Sequence, residues 1–162
     1  MNHSMRNFRV LAGVAGLLAI GTAHAADSAT QDVDITVQAV NEISVGAAVT
    51  LAINSATAGG NPSGNASSTY SITTNSTASK KITAQLAGAL TSGLSLSVNL
   101  QAPSTGSSAG VTSLTTTASD VVTSIEAVAA TGLTISYAAT ATVAVAPNTY
   151  AADVTYTIVN DS

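Results

Sequence analysis

Apolar residues alternate with small polar residues over much of this chain. The run 94–100 alternates leucine and valine with serine and asparagine, and a second alternating run extends from 133 to 145. A period of two puts successive side chains on opposite faces of a β-strand, so each run predicts a strand with one buried face. Threonine and valine are abundant while glutamate, lysine and arginine are rare, which favours strands over helices.

The same pattern recurs in short segments along the chain, separated by Gly- and Ser-rich loops at 58–68 and 101–110. Segment 120–130 fits either a helical turn capped by Ser119 or Asp120, or a strand followed by a loop. About eight to ten short strands with loops at intervals of roughly ten residues are typical of an all-β, Ig-like β-sandwich. The predicted strands are 33–39, 43–45, 49–53, 70–74, 81–86, 94–100, 111–114, 133–145 and 154–158.

The first 25 residues differ from the rest. A basic start with Arg6 and Arg9 is followed by an apolar run, 10–22, and by the sequence Ala23-His24-Ala25. This order is typical of a secretory signal peptide, and the apolar run is too short to span a membrane. We therefore expect residues 1–25 to be removed and residues 26–162 to form a single β-sandwich domain that is secreted and acts in the extracellular space, at the cell surface or in the periplasm.

Removal of residues 1–25 would also remove every histidine, arginine, methionine and phenylalanine, and the chain has no cysteine or tryptophan. Disulfides are therefore excluded, and most side chains that serve as nucleophiles or general acids and bases are missing. A Ser-Lys dyad has no S-x-x-K motif to support it, since Thr77 precedes Lys80 and Ala78 precedes Lys81 by three residues. The sequence predicts a protein that is not an enzyme and needs no cofactor.

Charged residues are sparse and mostly acidic. Lys80 and Lys81 are the only basic residues after residue 25, against eight acidic residues in the chain. No basic patch is present to contact phosphates, so we do not expect nucleic-acid binding. The residues after 25 include no apolar run of membrane-spanning length, so we expect no transmembrane segment.

The long uncharged stretches bear on assembly. Soluble β-proteins usually protect edge strands with lysine, proline or inward-facing charges, and the segments 43–79, 82–119 and 127–152 contain no charge. The edges must be covered by loops, closed into a barrel, or paired with another chain. The terminal, alternating segment 27–40 is the candidate donor strand for such pairing. Its apolar face consists of Val33, Ile35, Val37 and Ala39.

The remaining candidate sites have ordinary structural explanations. Asp27, Asp32 and Asp34 form an acidic cluster that lacks the spacing of an EF-hand, so solvated carboxylates are favoured over a metal site. Asn65 and Asn75 each begin a glycan-acceptor tripeptide. Among the four tyrosines, Tyr137 and Tyr156 are in phase with apolar neighbours and are predicted to pack in the core, whereas Tyr70 and Tyr150 are left open.

The stretch 146–158, APNTYAADVTYTI, resembles the C-terminal end of known bacterial surface β-sandwich families. It is similar to the closing turn and strand of spore coat protein U-like and fimbrial subunits, and more loosely to WxL cell-wall domains, although the WxL tryptophan is absent. The resemblance implies a secreted Ig-like sandwich that can serve as a polymer subunit, and it carries over no functional residue. We therefore expect a structural subunit of a surface filament, fimbria or coat, with a monomeric adhesion or carbohydrate- or protein-binding module as the alternative.

Overall fold

The computed structural model describes residues 27–162, so the predicted signal peptide lies outside the described residues. The described part contains no helix, and its regular structure consists of nine β-strands. Over residues 27–162, no helix is long and apolar enough to cross a membrane. The strands are β1 Asn41–Val45, β2 Ser63–Thr74, β3 Lys80–Leu86, β4 Leu94–Leu100, β5 Ser107–Ser108, β6 Thr112–Ser113, β7 Ser119–Ile125, β8 Val128–Ala141 and β9 Val154–Asn160.

The strands form a β-sandwich of two antiparallel sheets. One sheet has the order β1-β2-β8-β4-β6, and the other has the order β5-β7-β3-β9. All nine strands belong to the compact unit Val37–Ser162. The all-β sandwich predicted from the alternation is therefore confirmed for the described residues.

The core lies between the two sheets and is built from one face of each long strand. In β3, Ile82, Ala84 and Leu86 are buried while the side chains between them are half-buried. Burial of such an apolar face stabilises a two-layer domain because it removes apolar area from water. The other fully buried members are Tyr70, Ile72, Val98, Leu100, Val121, Val122, Ile125 and Ile135.

A β-bulge explains the phase of the longest strand. The pairing of β2 with β8 moves from Tyr70↔Leu133 to Ile72↔Ala130, so two β8 residues oppose one β2 residue. Gly132, within this step, has a φ of +68°, which glycine adopts without the steric cost other residues bear. The bulge shifts the alternation of β8, so the strand continues back to Val128 although the regular pattern starts at residue 133.

Three sequence-based boundaries are corrected by the structure. Segment 49–53 is not a strand, and 63–68, predicted as loop, is the first half of β2. The run predicted to extend to residue 145 ends at Ala141, after which Val143 is 83% exposed. The ambiguous segment 120–130 contains no helix: β7 ends at Ile125 and β8 begins three residues later.

The buried tyrosine of β2 makes the fold sensitive to alkaline pH. The Tyr70 hydroxyl donates a 2.6 Å hydrogen bond to the Gln101 carbonyl, and burial raises the pKa of Tyr70 from 10.0 to about 12. Burial and the hydrogen bond with Tyr137 raise the pKa of Tyr156 as well. Because burial disfavours ionisation of Tyr70 only in the folded state, its contribution to stability is complete below pH 10 and is lost as pH rises towards 12.

We therefore expect the free energy of unfolding, measured in urea at several pH values, to fall between pH 10 and 12. The Tyr70 contribution is at most about 2.7 kcal/mol, for a shift of roughly two pH units. Tyr70→Phe should lower stability at pH 8, because the Gln101 carbonyl loses its donor, yet it should flatten the alkaline fall. An equally steep fall in this variant would show that Tyr70 is not the group responsible.

Candidate functional site

The candidate donor strand, segment 27–40, includes the alternating residues Asp32 to Val40, called the arm below. The structure corrects one part of that prediction. The arm contains no strand, and all nine of its residues are exposed. Val33, Ile35 and Val37 are 72%, 84% and 79% exposed, and Ala39 is exposed as well. The prediction of a half-buried strand is therefore wrong for the single chain.

The physical reason is that an alternating sequence gives a segment one apolar and one polar face but does not provide a neighbouring strand to pair with. A half-buried strand needs hydrogen-bonding partners along at least one edge and an apolar layer under one face. None of the strand pairings in the described residues involves the arm. Its apolar side chains thus remain available to another surface.

Asn75 anchors the end of the arm. Its Nδ2 group donates to the Gln38 carbonyl at 2.7 Å, and its Oδ1 accepts from the Val40 N–H at 2.8 Å. The Asn75 backbone N–H also donates to the Val40 carbonyl at 3.3 Å. The Asn75 side chain therefore bonds to the backbone of the arm as a neighbouring strand would, immediately before β1 begins. The amide nitrogen that a glycan would occupy is already used as a donor here.

Replacing Asn75 by Ala should release this anchor. We expect the Val40 amide to exchange with deuterium faster than in the wild type, and the domain to lose about 1 to 2 kcal/mol of stability. Thr77→Ala is the matched control, since it removes the same glycan-acceptor tripeptide but none of these hydrogen bonds. Equal Val40 exchange rates in the two variants would refute the anchoring role.

The edges of the two sheets are not equally protected. On one side of the sandwich the edge strands β5 and β6 have only two residues each. Directly after β6, the Leu114 N–H donates a hydrogen bond to the Leu96 carbonyl of β4. On the other side β9 has seven residues and pairs, among the described strands, only with β3. The edge strand of the opposite sheet on this side is β1, which contains Glu42.

The exposed backbone groups of β9 follow from its pairing with β3. The Asp161 N–H donates to the Ser79 carbonyl and the Ala87 N–H donates to the Asp153 carbonyl. The backbone N–H and C=O groups of the odd-numbered residues of β9 therefore point towards β3. In an antiparallel ladder the direction alternates along the strand. Val154, Tyr156 and Ile158 therefore turn their N–H and C=O groups to the open edge, where no described strand accepts them.

The same side of the sandwich is incompletely covered. Val154, Tyr156 and Ile158 face the core but are only half-buried, whereas their neighbours on β3 are between 0% and 3% exposed. Across from β9, Ile43 of β1 is half-buried and Val45 is 53% exposed. A partly covered apolar row next to an unpaired strand edge is the form of surface that accepts an added strand.

The tyrosines are placed largely as predicted. Tyr137 and Tyr156 pack against the core, and the Tyr156 hydroxyl donates to that of Tyr137 at 2.9 Å. Tyr70, left open from the sequence, is buried. Tyr150 is exposed and donates to the Ala146 carbonyl in the loop before β9.

Both lysines after residue 25 have side-chain partners in the structure. Lys81 pairs with Asp120 at 3.1 Å, and Lys80 contacts the Asn160 side chain. Among the described residues, no three acidic or metal-ligating side chains come together, and this includes Asp27, Asp32 and Asp34.

A shallow depression lies on the outer face of the five-stranded sheet. Its volume is about 530 Å³, and its lining includes Ser67, Ser97, Asn99 and Ser136, with Val111 beside them. These groups are small and uncharged, and Asn99 already accepts a hydrogen bond from Ser108. The depression provides hydrogen-bonding groups but no feature that selects a ligand.

The sequence predicts a donor strand but does not indicate which edge strand of the sandwich is open. The open edge of β9 depends on which strands are neighbours, and the only sequence signal for it was the lack of charge in the strand itself, VTYTIVN. Comparison of the chain with protein-family models, with curated proteins and with solved structures finds no match.

Proposed function

We propose that this chain is an exported structural subunit of a surface filament, fimbria or coat, and that subunits join by β-strand addition through the arm. The observation that carries the proposal is the exposure of Val33, Ile35 and Val37 on one face of a terminal segment. Export rests on the signal-peptide pattern of residues 1–25. The Ig-like character of the sandwich and the resemblance to spore coat protein U-like and fimbrial subunits are part of this proposal.

The energetic argument begins with the exposed side chains. Burial of a valine or isoleucine side chain contributes about 1.5 to 3 kcal/mol, and the arm offers three of them together with the backbone groups of a whole strand. Association costs translational, rotational and conformational freedom, so only part of this gain appears as affinity. The arm is suited to pairing, because it belongs to no strand of its own domain and breaks no strand pairing when it binds.

Chemistry supports a structural role in preference to catalysis. After residue 25 the chain has no histidine, cysteine or arginine, so its many serines have no conventional base to activate them. In a monomeric adhesion or binding module the apolar side chains of the arm would stay exposed to water and would contribute nothing to stability. Strand addition accounts for that face.

The size of the mature protein in solution tests the proposal. Residues 26–162 should form elongated oligomers at high concentration, visible by size-exclusion chromatography and negative-stain microscopy. A variant that lacks residues 27–36 should stay monomeric with an unchanged circular dichroism spectrum, since all nine strands lie beyond this deletion. A full-length mature protein that remains monomeric at every concentration would refute the proposal and favour the monomeric binding module.

A further inference from the structure

We infer that the acceptor for the arm is the open edge of β9, and that the arm of a second copy adds there antiparallel to β9 with Ile35 opposite Tyr156. This inference rests on the proposed function and adds the partner surface and the orientation. Its starting point is the match between an exposed alternating segment without a partner strand and a seven-residue strand with one edge unpaired.

The first step is the choice of β9 among the edge strands. β5 and β6 are two residues long and cannot hold a nine-residue arm. β1 has five residues and includes Glu42, a charge of the kind that protects an edge. β9 has seven residues and no charge, and its unpaired N–H and C=O groups alternate with side chains along the edge.

The second step is the match of apolar faces. With Ile35 opposite Tyr156 in the antiparallel register, Val33 lies opposite Ile158 and Val37 lies opposite Val154. The three arm residues are more than 70% exposed in the free chain, and the three β9 residues are half-buried. Strand addition in this register brings the two apolar sets into contact and reduces the exposure of both.

The third step is charge, which selects the orientation. In a parallel arrangement with the same apolar match, Asp32 would lie directly opposite Asp153, and like charges directly opposite each other destabilise a strand pair. In the antiparallel arrangement Asp32 lies opposite Val159 instead. Val159 pairs with Lys81 in β3, which places a cation in the same cross-strand row, about 10 Å or two strand spacings from the arm.

The other charges near the C-terminal end of β9 do not change the preference for the antiparallel orientation. Lys80 contacts Asn160 at the end of β9. The Asp161 carboxylate accepts hydrogen bonds from the Ser124 N–H and the Ser79 hydroxyl, on the side of β9 away from the open edge. Asp120 is engaged by Lys81. The antiparallel arm therefore meets a mixed environment, whereas the parallel arm meets Asp153 directly.

The register makes a prediction for disulfide cross-linking, and a chain without cysteine is suited to it. Thr36 of the arm lies opposite Thr155 when the arm is antiparallel and opposite Thr157 when it is parallel. Both threonines belong to pairs without hydrogen bonds across this edge, in which side chains are closest. All three side chains are exposed, so single cysteines there leave the fold intact.

In the experiment, mature protein with Thr36→Cys is mixed with an equal amount of protein with Thr155→Cys, unfolded in urea and refolded together under mild oxidation. Parallel mixtures use Thr157→Cys or, on β1, Ser44→Cys as the partner. The products are separated on a non-reducing gel, and the cross-linked peptides are identified by mass spectrometry. Wild-type protein in the same buffer is examined for oligomers.

We expect the Thr36–Thr155 heterodimer to exceed the other two heterodimers at least five-fold. Oligomers with preferential cross-linking to residue 157 or residue 44 would overturn the inferred orientation or site while the proposed function stands. Wild-type oligomers that yield no preferred cross-link would overturn the inferred acceptor. If the wild-type protein forms no oligomer at all, both the acceptor and the proposed function are wrong.

Discussion

Replacing Ile35 by Asp should abolish assembly and leave the domain folded. Ile35 is 84% exposed in the single chain, so the substitution should change the free energy of unfolding by no more than about 0.5 kcal/mol. In the assembled state the same side chain would enter an apolar groove, where an unpaired carboxylate costs several kcal/mol. A loss of about 4 kcal/mol corresponds to a roughly thousand-fold weaker association.

The control for this prediction is Thr36→Asp. It introduces the same charge one residue further along the arm, on the polar face. Size-exclusion chromatography should show monomers for Ile35→Asp and oligomers for Thr36→Asp, and urea unfolding should give similar midpoints for both. Unfolding of the Ile35→Asp variant would mean that the arm packs within its own domain, contrary to its exposure in the structure.

Replacing Ile82 by Ala should have the largest effect on the stability of the subunit itself. Ile82 is completely buried at the centre of β3, where it lies between Val122 of β7 and Ile158 of β9. Truncation of a buried isoleucine to alanine costs about 2 to 5 kcal/mol, because apolar burial is lost and a cavity remains. This loss is a large part of the free energy of unfolding of a typical domain, which is about 5 to 15 kcal/mol.

Val111→Ala is the matched control, since Val111 is 75% exposed and the same kind of apolar group is removed. Urea unfolding at pH 7 should show a clear loss of stability for Ile82→Ala and a change within about 0.5 kcal/mol for Val111→Ala. Equal losses in the two variants would contradict the position of the core between the sheets.

Strict alternation locates strands well where nothing interrupts the ladder. The segment Leu94–Leu100 was predicted with the bounds that β4 has in the structure. Leu96, Val98 and Leu100 pack in or against the core, and these are apolar positions of the alternating pattern. The closing strand β9 was likewise identified from its alternating valine, tyrosine and isoleucine residues.

Two errors have local physical causes. The first half of β2 was predicted as loop because Gly64, Asn65 and several serines resemble a turn-rich segment, whereas pairing with β8 along the whole length holds them in a strand. The start of β8 was missed because the bulge at Gly132 changes the phase of its apolar residues. In both places the structure is set by the neighbouring strand and not by local preference.

The arm illustrates a different limit. Its alternation gives a reliable indication of two unlike faces, but periodicity does not reveal whether the covering surface belongs to the same chain. Val33 and Ile35 follow the same pattern as the buried residues of β3, yet they are exposed. The open edge of β9 was beyond prediction for a related reason, because strand order depends on contacts between residues far apart in the sequence.

Binding of the isolated arm sequence is the most direct test of assembly by strand addition. A peptide of residues 32–40, DVDITVQAV, would be titrated into mature protein that lacks residues 27–36, with sedimentation velocity and calorimetry as readouts. A one-to-one complex is expected, and the same peptide with Asp at the position of Ile35 should not bind. If neither peptide binds while the full-length mature protein still forms filaments, the arm is not the joining element and the central claim is wrong.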